Sequence, residues 1–164
     1  MKILLFVSVL IVSLGCQQEP TPTITSLDEF SFDLDGVHYD FTNEVISSGI
    51  LLDKLSISAT RANDNMNVTI KFDGPTVGTH ELPHNSTANT ISLTIPNGAF
   101  YDVFYSNELS TVPLNSGTLV ITEVNYSNSR ITGSFSTHVA TNPALGTQVT
   151  HEITNGVFNI PFVQ

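Results

Sequence analysis

From Phe30 to Phe162, apolar side chains recur at every second position over most of the chain, and that period fixes the backbone before any motif is read. A strand points successive side chains to opposite faces, so alternation describes ribbons buried on one side and wet on the other. Phe30, Phe32 and Leu34 alternate with Ser31 and Asp33; Val37, Tyr39 and Phe41 alternate with His38 and Asp40. Between them stands Asp35-Gly36, the composition of a two-residue type I′ turn, which pairs Leu34 with Val37, Phe32 with Tyr39 and Phe30 with Phe41. All six apolar side chains then share one face, and Gly36 supplies a positive φ.

The pattern continues through Leu55-Ile57-Ala59, a turn at Arg61 to Asn65, and Met66-Val68-Ile70-Phe72. Ile91-Leu93-Ile95 is stopped by Pro96-Asn97-Gly98; then come Ala99 to Tyr105, Gly117 to Val124, and a face made of Ile131, Gly133, Phe135, Thr137 and Val139. Val149, His151 and Ile153 lead into Asn155-Gly156, which reads as a second type I′ turn pairing Ile153 with Phe158, His151 with Ile160 and Val149 with Phe162. Pro161 fits an edge strand. No amphipathic helix interrupts this. The expectation is an all-β domain over residues 30–164: an antiparallel meander of about nine or ten strands in a β-sandwich, with a closed or partly open β-barrel as the alternative.

With 164 residues the chain is long enough for one domain with its own core. Fifteen Asp and Glu against five Lys and Arg give a formal charge of −10. Beyond Lys2 the basic residues Lys54, Arg61, Lys71 and Arg130 are scattered, which excludes a phosphate-tracking nucleic-acid surface. The acidic surface also disfavours anionic substrates and anionic lipid.

The N-terminus carries an address. After Lys2, Ile3 to Leu14 is an apolar run too short to span a bilayer but suited to a signal peptide. It ends in Ser13-Leu14-Gly15-Cys16, which resembles the lipobox of bacterial lipoproteins, with Ser13 where the family usually has Leu. The resemblance implies a signal peptide at 1–15, cleavage before Cys16 and acylation, such as palmitate, on Cys16. Two or three acyl chains make such an anchor effectively permanent. Cys16 is the sole cysteine, so the mature chain has no disulfide. Gln17, where a retention Asp would stand, implies the outer membrane by analogy, facing the periplasm or the cell surface. Residues 16–29, polar and bearing Pro and Thr, read as a tether reaching about 40 Å.

FSFDLDGVHYDF near the start, GTHELP in the middle, and RITGSFSTHV with ITNGVFNIPF at the end resemble a group of uncharacterised Bacteroidota lipoproteins. Their shared features are an F-x-F-x-L-D-G opening and a closing I-x-G-x-F followed by I-x-N-G-x-F. The resemblance implies fold and location, and carries over no functional residues.

Few residues suggest chemistry. His80-Glu81-Leu82-Pro83-His84 spells the H-E-x-x-H of zinc hydrolases, where two His one helical turn apart bind the metal. Pro83 breaks that helix, and in a strand His80 and His84 stand about 13 Å apart, too far for one ion. Asp33 and His38 should face each other across the first hairpin, as a solvated pair or a weak cation site, with Asp35 and Asp40 near. Asp33 to Gly36 echoes a calcium loop but lacks its later ligands. The expected register places His151 largely buried on the apolar face, either bonded to backbone at the core edge or lining a pocket between sheets.

Phe100 to Tyr105 is apolar on both faces, with Tyr101, Val103 and Tyr105 on one and Phe100 and Phe104 on the other. Such a strand is either buried twice, for example beneath residues 107–116, or an exposed aromatic patch for a glycan or protein partner. The possible ligand pocket is therefore His151, Tyr101 and Tyr105. No nucleophile elbow, phosphate loop or thiol nucleophile is present, and no cofactor or metal is expected. The expectation is a non-enzymatic, lipid-anchored envelope protein, a binding or structural module. Its alternatives are a carrier of a small ligand or glycan between the sheets and, remotely, a metal-dependent hydrolase.

Overall fold

The computed structural model describes residues 28–83, 86–107, 115–141 and 149–164. The signal segment, Cys16 and most of the tether lie outside the described residues, as does His84. The strands are β1 (Glu29–Leu34), β2 (Val37–Asp40), β3 (Val45–Leu51), β4 (Lys54–Thr60), β5 (Asn67–Asp73) and β6 (Gly78–Pro83). They continue as β7 (Thr90–Asn97), β8 (Phe100–Tyr105), β9 (Asn115–Asn125), β10 (Arg130–Ala140) and β11 (Thr150–Pro161). There is no helix among the described residues.

One antiparallel run reads β2-β1-β11-β10, with β9 on the other side of β10 and β6 beyond it; a second reads β8-β7-β5-β4-β3. They join where Ala140 meets Tyr105, and Gly49 on β3 bridges in parallel to Val163 just past β11. The resulting sheet of eleven strands is not closed into a barrel. Its inner side chains form one core, with Phe30, Phe32, Phe41, Ile57, Ile70, Leu93, Leu119, Ile131 and Phe158 almost wholly buried. The fold is all-β and antiparallel, in keeping with a sandwich or open meander.

Asp35 and Gly36 have φ of 50° and 80°, and Phe32 pairs with Tyr39 and Leu34 with Val37, as turn chemistry and alternation require. Val37 nevertheless stays exposed, because it sits beside the turn, beyond the reach of the opposing strands. Arg130 ties the start of β1 to its neighbours. Its guanidinium donates to Asp28 Oδ1 at 3.0 Å and to the Asn159 carbonyl at 2.7 Å.

The second expected turn is not one. Asn155-Gly156 lies inside β11, which runs unbroken between β1 and β10, so His151 pairs with Val139 and not with Ile160. Asn155, at φ 52°, is a β-bulge: both ladders slip there, between Ser31 and Asp33 on β1 and between Phe135 and Thr137 on β10. Gly156 is required for space, since a Cβ there would stand 2.6 Å from the Phe135 carbonyl oxygen and 2.7 Å from its ring. Pro161 accordingly ends a central strand instead of marking an edge.

The alternation also passed over β3, whose Ser47-Ser48-Gly49 centre hides the period and which buries only Ile50. Its turn to β4 is Leu52-Asp53, with φ of 50° and 61° and no glycine. Left-handed backbone costs a side-chain-bearing residue about 1–2 kcal/mol, and Leu52 is 85% exposed, so burial offsets none of it. Leu52→Asn is expected to raise stability by about 1 kcal/mol, read as a higher urea midpoint.

Candidate functional site

β8 owes its place to the Gly98-Ala99 turn, where Gly98 at φ 62° starts a two-residue connection and closes Asn97 on Phe100. Ser106 N–H donates to the Ile91 carbonyl at 2.9 Å, which fixes the parity of the ladder. Phe100, Asp102, Phe104 and Ser106 direct their backbone groups toward β7; Tyr101, Val103 and Tyr105 direct theirs away. The same parity accommodates Pro96. It faces Tyr101 at a position where neither strand bonds the other, so its missing N–H costs nothing.

Of the two expectations for this strand, double burial does not hold for its described rings, and the cover expected from residues 107–116 lies largely outside the described residues. Phe104 is 3% exposed, whereas Phe100 is 78%, Tyr101 58% and Tyr105 39% exposed. Asn97 Nδ2 donates to Asp102 Oδ2 at 2.9 Å, so a carboxylate is held amid these rings. On the far side β8 meets only Tyr105 to Ala140 among the described residues. Among the described residues Tyr101 and Val103 thus present their outward N–H and C=O groups to no other strand, beside exposed aromatic rings.

His151, on β11, reaches β8 at Phe104. Its ring meets Phe104 edge-on at 4.6 Å, and its Nδ1 donates to Asp35 Oδ2 at 2.6 Å. The side chain keeps 22% of its surface, so it is largely buried as expected, but through a register with Val139 in place of Ile160. Asp35 Oδ1 accepts from the Glu152 N–H at 2.9 Å, and the Asp35 N–H donates to the Glu152 carbonyl at 2.9 Å. The first hairpin's turn is thereby pinned to β11. Nearby, Asp33 accepts from His38 and from Asn155 Nδ2, each at 2.8 Å, so the bulge residue also serves this hairpin.

These bonds act on the carboxyls. Burial raises the Asp35 pKa, but the bonds from Glu152 and His151 outweigh it and leave it below its ordinary value. Asn155 first, then His38, lower Asp33, and Arg61 lowers Asp64. A carboxyl with a depressed folded pKa stabilises above its unfolded value near 4 and loses that contribution as pH falls through the folded value. The urea midpoint is therefore expected to hold from pH 7 to about 5 and to drop below about 4. Asp35→Asn should lower the midpoint at pH 7 and flatten the acid fall.

Three clefts lined by described residues hold about 160, 250 and 280 Å3. All are smaller than the ~300–1,000 Å3 usual for a small-molecule site. None is lined by His151, Tyr101 or Tyr105. His80 stands on β6, a strand, with its ring on Phe72 at 4.7 Å and its Nε2 donating to the Thr76 carbonyl at 2.7 Å. The helical turn that zinc hydrolysis needs is absent there. No group of three His, Cys, Asp or Glu among the described residues is placed to hold a metal. The free edge of β8 was missed because pairing parity is not visible in residue types, although Pro96 opposite Tyr101 marks it once the hairpin is known.

No curated protein and no solved structure matches the chain. A family model described as a domain of unknown function, DUF6252, matches residues 32–161, from within β1 to the end of β11. The chain belongs to that family.

Proposed function

We propose that this protein is a lipid-anchored component of the bacterial outer membrane that works as a binding module, presenting the aromatic strand β8 to its partner. The observation that carries the reading is the exposure of Phe100 and Tyr101 beside the buried Phe104. Large apolar rings left in water on one strand mark a contact surface. The Ser13-to-Cys16 lipobox supports the anchor, and the absence of a nucleophile or phosphate-loop motif supports a non-enzymatic role. The test is a photoreactive benzoylphenylalanine in place of Phe100, illuminated in intact cells, with the same group at the equally apolar and exposed Val45 as control. A discrete adduct from position 100 and none from position 45 is expected; no adduct from position 100 rejects the reading.

A glycan is the second reading, favoured by Tyr101 and Tyr105, which share a face about 13 Å apart with part of each ring exposed. The chain has no Trp and four Tyr, so tyrosine fluorescence during oligosaccharide titration carries the signal of these two rings among four, and the Tyr101→Ser variant singles out Tyr101. A saturable change lost in Tyr101→Ser is the result that a glycan partner gives.

A further inference from the structure

We infer that β8 receives its partner as an added antiparallel strand, and that the incoming segment is an extended peptide alternating apolar with basic residues. The inference rests on the reading of β8 as the contact surface and specifies the partner's chemistry. A sheet edge with free N–H and C=O groups is a template for another chain, and folded proteins normally blunt it with shortness, proline, charge or cover. The other edges here are blunted. β2 has four residues, with His38 and Asp40 among them. β6 carries Glu81 and Pro83. On β3, the Ile50 N–H donates to the Val163 carbonyl at 2.9 Å and the Ser48 carbonyl accepts from the Val163 N–H at 3.0 Å. β8 is six residues of Phe, Tyr, Asp, Val, Phe and Tyr, and on its outward side Tyr101 and Val103 pair with no strand among the described residues.

An added strand would take both N–H groups and both carbonyls of Tyr101 and Val103, and would cover the exposed rings of Phe100 and Tyr101. Charge selects the occupant. The chain carries −10, and Asp102, fixed by Asn97, is the charge within the strand. A lysine or arginine across from Asp102 makes a favourable cross-strand pair. A second copy of the chain, itself at −10, would set its own Asp102 near this one, which disfavours it as the occupant.

The test uses the full-length protein in detergent and a fluorescent eight-residue peptide alternating valine with lysine and threonine. Two control peptides accompany it, one with glutamate for lysine and one N-methylated at alternate residues so that it keeps its side chains but cannot pair. Saturable anisotropy with the lysine peptide alone is expected. Val103→Pro should weaken it at least tenfold, because only the outward N–H is lost while the β7 ladder is kept. Should that variant fail to fold, Asp102→Lys, at an exposed position, should reverse the preference toward the glutamate peptide. Equal binding of the N-methylated peptide would overturn strand addition while leaving β8 as a side-chain contact surface. Equal binding of the glutamate peptide would overturn the charge assignment. A dimer by analytical ultracentrifugation that Val103→Pro dissolves would make a second copy the occupant. No peptide binding, with the position-100 adduct still formed, would overturn this inference alone; loss of the adduct as well would remove the reading beneath it.

Discussion

Gly133→Ala is expected to destabilise the protein by about 3 kcal/mol or more, which at this chain length lowers the melting temperature by about 10 °C. A Cβ at Gly133 would lie 2.3 Å from the Val120 carbonyl oxygen and 2.4 Å from Cζ of Phe158. The first of these neighbours is backbone in the β9–β10 ladder, which moves only by parting the strands. The second is a ring 1% exposed in the core. Gly133 faces Phe158 across β10 and β11, and two steps along the same ladder Phe135 faces Gly156. Each phenylalanine thus lies over the glycine of the opposite strand, and the two rings stand 6.4 Å apart. Aromatic cover of a strand glycine is a recognised way to offset the weakness that glycine brings to a sheet.

The reciprocal arrangement explains the two segments Ile131 to Phe135 and Ile153 to Phe158 as parts of one lock, with Ile131 and Ile153 also buried. Gly74→Ala is the comparison. Gly74 has φ 71° with nothing within 4 Å of an added Cβ, so only backbone strain of about 1 kcal/mol is expected. Urea melts of both variants decide the matter: equal losses would mean that conformation, and not the ring over the glycine, is what Gly133 supplies.

Gly36 and Gly156 show where sequence reading succeeds and where it stops. Asp35-Gly36 was legible because the local turn preference and the long-range alternation agree: Phe32 and Leu34 are buried on one side of it and Phe41 on the other. Asn155-Gly156 has the same local chemistry, and alternation resumes on both sides, so a turn was the natural reading. What decided otherwise is the Phe135 ring packed on Gly156 and the pairing of β10 along the whole of β11, with β1 pairing across the same bulge, all contacts with distant chain. β8 failed in a related way. Apolar residues on both faces imply two covers, yet Phe104 is buried while Phe100 on its own face and Tyr101 on the other stay exposed. The candidate site was therefore legible as a strand and as residues, but its free edge required the topology.

Cys16→Ser is expected to remove the protein from the outer-membrane fraction and to abolish incorporation of radiolabelled palmitate. No helix among the described residues is long and apolar enough to cross a membrane, and the apolar side chains of the sheet are largely committed to its core. Electrostatic adhesion is opposed by the −10 charge, so wild-type protein should stay with the membrane in 1 M salt, on the order of a Debye length of 3 Å. The proposed acyl chains on Cys16 would supply about 0.8 kcal/mol per buried methylene, and two or more of them hold where one would exchange. The Ile3–Leu14 run, if retained because the variant is not cleaved, spans about 18 Å and falls short of the ~30 Å hydrocarbon layer. Any residual association should then track the inner membrane and separate from the outer one on a density gradient. A Cys16→Ser protein that still bands with the outer membrane would show that the β-domain itself finds that surface, and the exposed β8 strand would be the first place to look for the contact.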